Sequence, residues 1–246
     1  MTRIVPTGLR RRQPALSEDR SEDRPGARKV EILGVAGAGK STLASLLAGQ
    51  AGWELAPFIH ARRPSDLFQV ARATPHLLPV LLRGVTHRPR VSWREIKLLV
   101  YVTRWRHVLR RRHLGTGTTL LFDQGPLYAL VRLRAAGKPF TAGQAYERWS
   151  EEMLERWASE LTAVIFLDAP DAVLWSRINE RPQGHIEKGE EVGSGLRFIT
   201  RYRRSFNEVL GRADEIGGPR ILRFDTGAAT ADRIAEQVGS AVRNRR

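Results

Sequence analysis

Apolar residues along this chain gather in short runs that stop at a polar residue and give way to helical spacing. The runs occupy residues 30–33, 118–122, 163–167 and 220–224, with a weaker candidate at 53–56. A strand covered on both faces reads as a continuous apolar run, and helices between such strands imply a parallel sheet sandwiched between two helical layers. The intervening segments carry that helical spacing at 42–51, with leucines at 43, 46 and 47, and again at 126–136, 141–160, 170–180, 195–210 and 231–242. Three further stretches, 65–73, 76–84 and 92–113, look helical, broken by Pro75, Pro79 and Pro89. Thr141 reads as the cap of its helix. Tyr146, Trp149, Met153 and Trp157 recur on one face of that helix, as a core stripe does, rather than a base-stacking platform. No internal repeat is visible. The pattern predicts an α/β fold, a three-layer sandwich around a five-stranded parallel sheet.

Composition bounds the picture. With 246 residues, 41% of them hydrophobic, the chain suits one α/β domain and is short for two. Residues 1–27 mix Arg, Asp, Glu, Ser and Pro without apolar periodicity, so they are expected to form a disordered tail, leaving 28–246 as the domain. The absence of cysteine excludes disulfides, thiolate metal sites and cysteine nucleophiles. No stretch approaches the roughly 18 apolar residues of a transmembrane helix, and the start of the chain has no apolar signal core, so a cytoplasmic protein is expected.

The net charge is +15, and most of it is local: residues 57–113 hold twelve Arg and one Lys against Asp66 and Glu95. Within this basic helical insert, Arg94, Lys97, Tyr101, Arg104 and Arg111 share one helical face. Such a stripe suits an anionic acceptor, a nucleic-acid backbone or an acidic membrane surface, and equally a solvated face opposite Trp93, Ile96, Leu99, Val100 and Val102. The histidines at 60, 76, 87, 107 and 113 make no recognisable metal spacing.

The sharpest chemical signal follows the first apolar run. Gly34-Val35-Ala36-Gly37-Ala38-Gly39-Lys40-Ser41-Thr42 has the GxxxxGK[ST] spelling of a Walker A phosphate-binding loop, between a strand and a helix as that motif requires. Glycines let backbone N–H groups close around a β-phosphate, Lys40 brings charge to the β- and γ-phosphates, and the Ser41 hydroxyl is placed for Mg²⁺. The expected ligand is therefore a nucleoside triphosphate with Mg²⁺. In a parallel sheet ligands collect at the carboxyl ends of the strands, which singles out Asp123 after 118–122 and Asp168 after 163–167. Asp123 suits Mg²⁺, through water, or the proton of an acceptor hydroxyl; capping of the next helix is its other reading. Asp168 reads as the cap of the helix that follows it. Arg177 and Arg181 stand one helical turn apart and lead into a polar, glycine-containing run expected to be a mobile lid at 181–194, which suits a two-pronged clamp on a γ-phosphate, although plain surface arginines are common in so basic a chain. Arg201, Arg203 and Arg204 follow the lid and could add a further charge.

These residues together resemble the P-loop nucleoside and nucleotide kinases, above all the thymidylate kinase and deoxynucleoside kinase branch, over residues 29–242. The resemblance rests on Gly34, Gly37, Gly39, Lys40 and Ser41; on Asp123-Gln124-Gly125 after the third strand; and on Phe166-Leu167-Asp168-Ala169-Pro170 before a helix ending in spaced arginines. It implies catalytic roles for Lys40, Asp123, Arg177 and Arg181, a helical insert at 57–113 on the acceptor side, and acceptor contacts from Glu54, Gln124 and Arg104. Glu54 is an imperfect counterpart of a glutamate that serves as base in the deoxynucleoside branch. Gln124 stands where relatives carry an arginine that meets the acceptor or its phosphate, a departure that counts against a nucleotide acceptor.

The expected activity is ATP-dependent transfer of the γ-phosphate to a small hydroxyl acceptor, nucleoside-like by resemblance or another metabolite. The rival is a nucleic-acid-associated P-loop NTPase, or a polynucleotide 5′-hydroxyl kinase, that uses the basic insert. A hydrolase usually places a glutamate beside its strand-end aspartate, and here the neighbours are Gln124 and Ala169. A homodimer stays open.

Overall fold

A computed structural model of the protein describes residues 28–56, 75, 77–82, 92–110, 117–137, 139–180 and 192–243. The tail at 1–27, much of the basic insert and residues 181–191 of the expected lid lie outside them. Five strands, β1 (Arg28–Gly34), β2 (Trp53–Leu55), β3 (Thr119–Asp123), β4 (Ala163–Asp168) and β5 (Arg220–Asp225), form one parallel sheet in the order β2-β3-β1-β4-β5. This is the expected α/β class and strand count. The three central strands are buried along nearly their whole length, which is why they read as unbroken apolar runs, whereas the edge strand β5 is only half covered.

The helices are α1 (Lys40–Ala48), α2 (Trp93–Arg110), α3 (Pro126–Ala135), α4 (Gln144–Glu160), α5 (Asp171–Glu180), α6 (Val192–Glu215) and α7 (Ala231–Arg243). A 3₁₀ turn spans Pro139–Ala142, and residues 77–82 are also helical. α1 packs on α7, while α3 packs against α2, α4 and α6. Phe122 of β3 carries the second layer, its ring centroid 6.3 Å from both Trp105 of α2 and Trp157 of α4. Phe166 of β4 meets Phe206 of α6 at 5.4 Å. Tyr146, Trp149, Met153 and Trp157 are all buried, the core stripe expected of them. The indole N–H of Trp157 donates to the Val102 carbonyl at 2.9 Å, so this large side chain is buried with its polar atom satisfied.

Three boundaries differ from expectation. α1 begins at Lys40, because Gly39 adopts a left-handed conformation (φ 79°) that turns the loop straight into the helix, and it ends at Ala48 rather than 51. Thr141 lies in the 3₁₀ turn, and Gly143 stands at the N-cap of α4. α6 begins at Val192, inside the 181–194 lid, and runs to Glu215 rather than 210. Gly195, read as the start of this helix, lies inside it as a packing residue: a Cβ there would sit 1.9 Å from the Trp175 ring. At the far end, Ala213 continues the buried stripe of Phe206 and Leu210. Among the described residues no helix is long and apolar enough to cross a membrane, and no cluster of His, Asp and Glu forms a metal site.

Candidate active site

Strand register builds the site. Ile32 pairs with Asp123, Gly34 with Leu167 and Asp168 with Asp225, so Gly34, Asp123, Asp168 and Asp225 lie along one carboxyl edge. From Gly34 the chain loops through Val35–Gly39 into α1, and all nine residues of the phosphate-loop motif sit at that edge. Gly37 has φ 83°, and a Cβ on it would lie 2.7 Å from the Leu174 carbonyl of α5, so the loop closes there only with glycine. No side chain caps α1. The first-turn N–H groups of any helix lack intrahelical partners and carry its positive end, which makes this a donor array for an anion.

Two oxygen-bearing side chains converge beside that array. The Ser41 hydroxyl donates to Asp123 Oδ2 at 3.2 Å, while Asp123 Oδ1 is buried and has no hydrogen-bond partner. Hard oxygen donors with one orphaned carboxylate atom fit a small divalent cation such as Mg²⁺, whether bound directly or through water. Lys40 is 8% exposed; its Nζ donates to the Val35 carbonyl at 2.8 Å and lies 5.9 Å from the centre of the Tyr128 ring. Burial raises the Tyr128 phenol above its ordinary pKa, so it remains a neutral wall beside the lysine.

Beneath this turn lies a residue that the sequence pattern did not single out. Glu31, in the middle of β1, is completely buried and accepts hydrogen bonds from the Leu127 N–H at 3.0 Å and the Tyr128 N–H at 2.8 Å. Burial pushes its carboxyl pKa up to about 8, against the opposing pull of these backbone donors and that of Gly125. The signal was present in the sequence: one acid interrupts an otherwise apolar central strand, and such a group must find partners.

Arg177 stands on the second half of α5. Its guanidinium donates to Thr226 Oγ1 at 3.0 Å and to the Thr226 carbonyl at 2.9 Å, on the loop after β5. There it lines a cavity of about 340 Å³ together with Gly37, Thr42, Leu43, Leu167 and Ala229. Arg181 lies outside the described residues. Asp168 does not cap α5. Its carboxylate receives Arg203 at 2.7 and 3.1 Å, while Arg203 also reaches Asp171 at 2.6 Å and the Ala169 carbonyl at 3.1 Å. Arg203 is therefore committed to pinning α6 against the end of β4, and Arg204 pairs with Glu208 at 3.0 Å.

Glu54 is not brought to the site. It pairs in register with Leu120, three residues short of Asp123, and it is exposed on an edge strand of three residues. Gln124 follows Asp123 with a left-handed φ of 61°, and is partly buried. Arg104 is partly buried on α2; Arg94 and Lys97 are exposed, whereas Tyr101 turns inward onto Trp105 at 4.8 Å, and Arg111 lies outside the described residues. On the face expected to be apolar, Leu99, Val100 and Val102 are buried but Trp93 is 53% exposed.

No family model and no curated protein matches the chain. Solved structures do. Deoxyadenosine kinase from M. mycoides with bound dATP is similar over 88% of this chain and 100% of that one, with a TM-score of 0.52 and 16% sequence identity. Thymidylate kinase from Candida albicans is similar over 88% of this chain and 91% of that one, with a TM-score of 0.55 and 17% identity. The chain thus has the fold of the P-loop nucleoside and nucleotide kinases, with its five parallel strands in the order 2-3-1-4-5.

Proposed function

We propose that this protein is an ATP-dependent phosphotransferase that moves the γ-phosphate to the hydroxyl of a small, nucleoside-like acceptor. The observation that carries the reading is the meeting of Ser41 and Asp123 at 3.2 Å beside the uncapped start of α1. In this reading the loop N–H groups of 34–42 hold the triphosphate, and Lys40 swings from the Val35 carbonyl to the β- and γ-phosphates. Ser41 and Asp123 would hold Mg²⁺, which when bound neutralises charge on the phosphate oxygens. The acceptor oxygen forms its bond to the γ-phosphorus as the bridging bond to the β-phosphate breaks; ADP leaves, and Asp123 takes the hydroxyl proton. The about 340 Å³ cavity between the loop and Ala229 suits the base, with Arg177 as one wall. Arg181 remains the proposed charge over the transferring phosphate.

Gln124 supports an uncharged acceptor, since its amide supplies no cation for an acceptor phosphate. The absence of a carboxylate beside Asp123 or Asp168 in sequence supports transfer over hydrolysis. The test is transfer of labelled γ-phosphate from ATP to nucleosides, nucleoside monophosphates, 5′-hydroxyl oligonucleotides and hydroxylated metabolites. A labelled small product, lost in Lys40→Ala, is expected. Oligonucleotide-stimulated release of free phosphate without labelled product would replace this reading with a nucleic-acid NTPase.

A further inference from the structure

Helix α3 starts without the usual devices. Gly125 is its N-cap and offers no side chain, Pro126 occupies the first helical position, and no acid stands in the first turn. The first free donors are therefore the N–H groups of Leu127 and Tyr128, and both are taken by the two oxygens of Glu31, a residue nearly a hundred positions away in the chain. The fit is close. A Cβ on Gly125 would lie 2.8 Å from the Glu31 carboxyl carbon and 2.7 Å from the Phe122 Cβ. The residue between this glycine and Asp123 is Gln124, at φ 61°, a conformation that costs a non-glycine residue on the order of 1 kcal/mol and persists only where the surroundings enforce it. Tyr128, whose N–H is one arm of the clasp, presents its ring to Lys40.

We propose that Glu31 is a positioning residue for the transfer centre: from the central strand it clasps the first turn of α3 and so fixes the Asp123–Gln124–Gly125 turn with Asp123 facing Ser41. This rests on the reading of Ser41 and Asp123 as the Mg²⁺ site. Glu31 touches neither residue's side-chain oxygens; it acts through the turn. The ionisable groups facing it are Tyr101 from α2, whose phenol is kept neutral by burial, and Tyr128 from α3. A bystander carboxyl would need neither the glycine opposite nor the uncapped helix start.

The test uses the full-length chain and a non-hydrolysable ATP analogue, titrated with and without Mg²⁺, alongside amide hydrogen exchange at Leu127 and Tyr128. Glu31→Gln keeps the volume but accepts at one atom only, turning an amide N–H₂ toward a backbone N–H. Expected is a loss of about tenfold or more in the Mg²⁺-dependent gain in affinity, as for other residues that orient metal ligands, with Mg²⁺-free affinity within about twofold of wild type. Exchange at Leu127 and Tyr128 should accelerate. If Glu31→Gln does not fold, Gly125→Ala opens the same contact from the other side and should give the same split. An unchanged Mg²⁺-dependent gain in a folded variant overturns the positioning role while leaving the phosphotransfer reading intact. A wild-type chain that gains no affinity from Mg²⁺ removes the reading of the metal site, and the positioning role falls with it.

Discussion

Asp123 and Ser41 stand 82 residues apart and meet only because the register of β3 on β1 brings the end of one strand beside the loop of the next. Oδ1 of Asp123 is buried without a hydrogen-bond partner, so in the proposed reading the charge of the carboxylate is what the metal site uses. Asp123→Asn keeps the contact to Ser41 and loses the charge and the base, so turnover should fall by about 10²- to 10⁴-fold with Mg²⁺-free nucleotide affinity preserved, read by steady-state kinetics beside a binding titration. Glu31 gives a pH signature in stability. It titrates near 4.5 ordinarily and near 8 when folded, so between those values the folded chain keeps a proton that the unfolded chain has lost. Its contribution is complete below about pH 4.5 and declines as pH rises to about 8, with a slope of at most about 1.4 kcal/mol per pH unit. Denaturant unfolding at pH 5, 6.5 and 8 should show the wild type losing stability relative to Glu31→Gln along that series.

Elements were legible where burial was two-sided. Residues 30–33 and 163–167 announce central strands because both faces are covered, and the aromatic spacing of Tyr146, Trp149 and Trp157 announces a core helix. Helix ends were less legible: Gly195, which reads as a helix start, lies inside α6 because the Trp175 ring packs where its Cβ would be. The phosphate loop was legible because its chemistry is local. The clasp at α3 and the pinning of α6 were not, because each joins residues from separate elements. Arg203 belongs to this second kind: four hydrogen bonds tie the middle of α6 to the β4–α5 junction. Its side chain is 26% exposed, so water screens part of the charge. Arg203→Met should lower stability by about 1–2 kcal/mol, measured by denaturant unfolding, because it leaves Asp168 without its partner. Arg204→Met, at a side chain 82% exposed, should be close to neutral.

At the scale of the whole molecule, the strand order sends the chain from β1 to β2 and β3 on one side and on to β4 and β5 on the other. The crevice of such a sheet opens where the order reverses, and that point is occupied by the Gly34–Ser41 loop. In the proposed reading a ligand held there would reach the loop, Asp123 at the end of β3, and the β5–α7 connection at the cavity lined by Thr226 and Ala229. It would join both halves of the sheet and bind only the folded chain, which makes stability a readout of the site that needs no acceptor. Ligand at a hundredfold excess over its dissociation constant adds about 2.7 kcal/mol, and a domain of this size gains about 2–4 °C in unfolding midpoint per kcal/mol. ATP with Mg²⁺ should raise the midpoint of the wild type by about 5–10 °C under those conditions. Lys40→Ala should lose most of that rise, whereas Glu54→Gln, on the exposed edge strand three residues short of the carboxyl edge, should keep all of it. A thermal scan of the three chains with and without nucleotide checks this, and an equal rise in Lys40→Ala would move the nucleotide away from the loop.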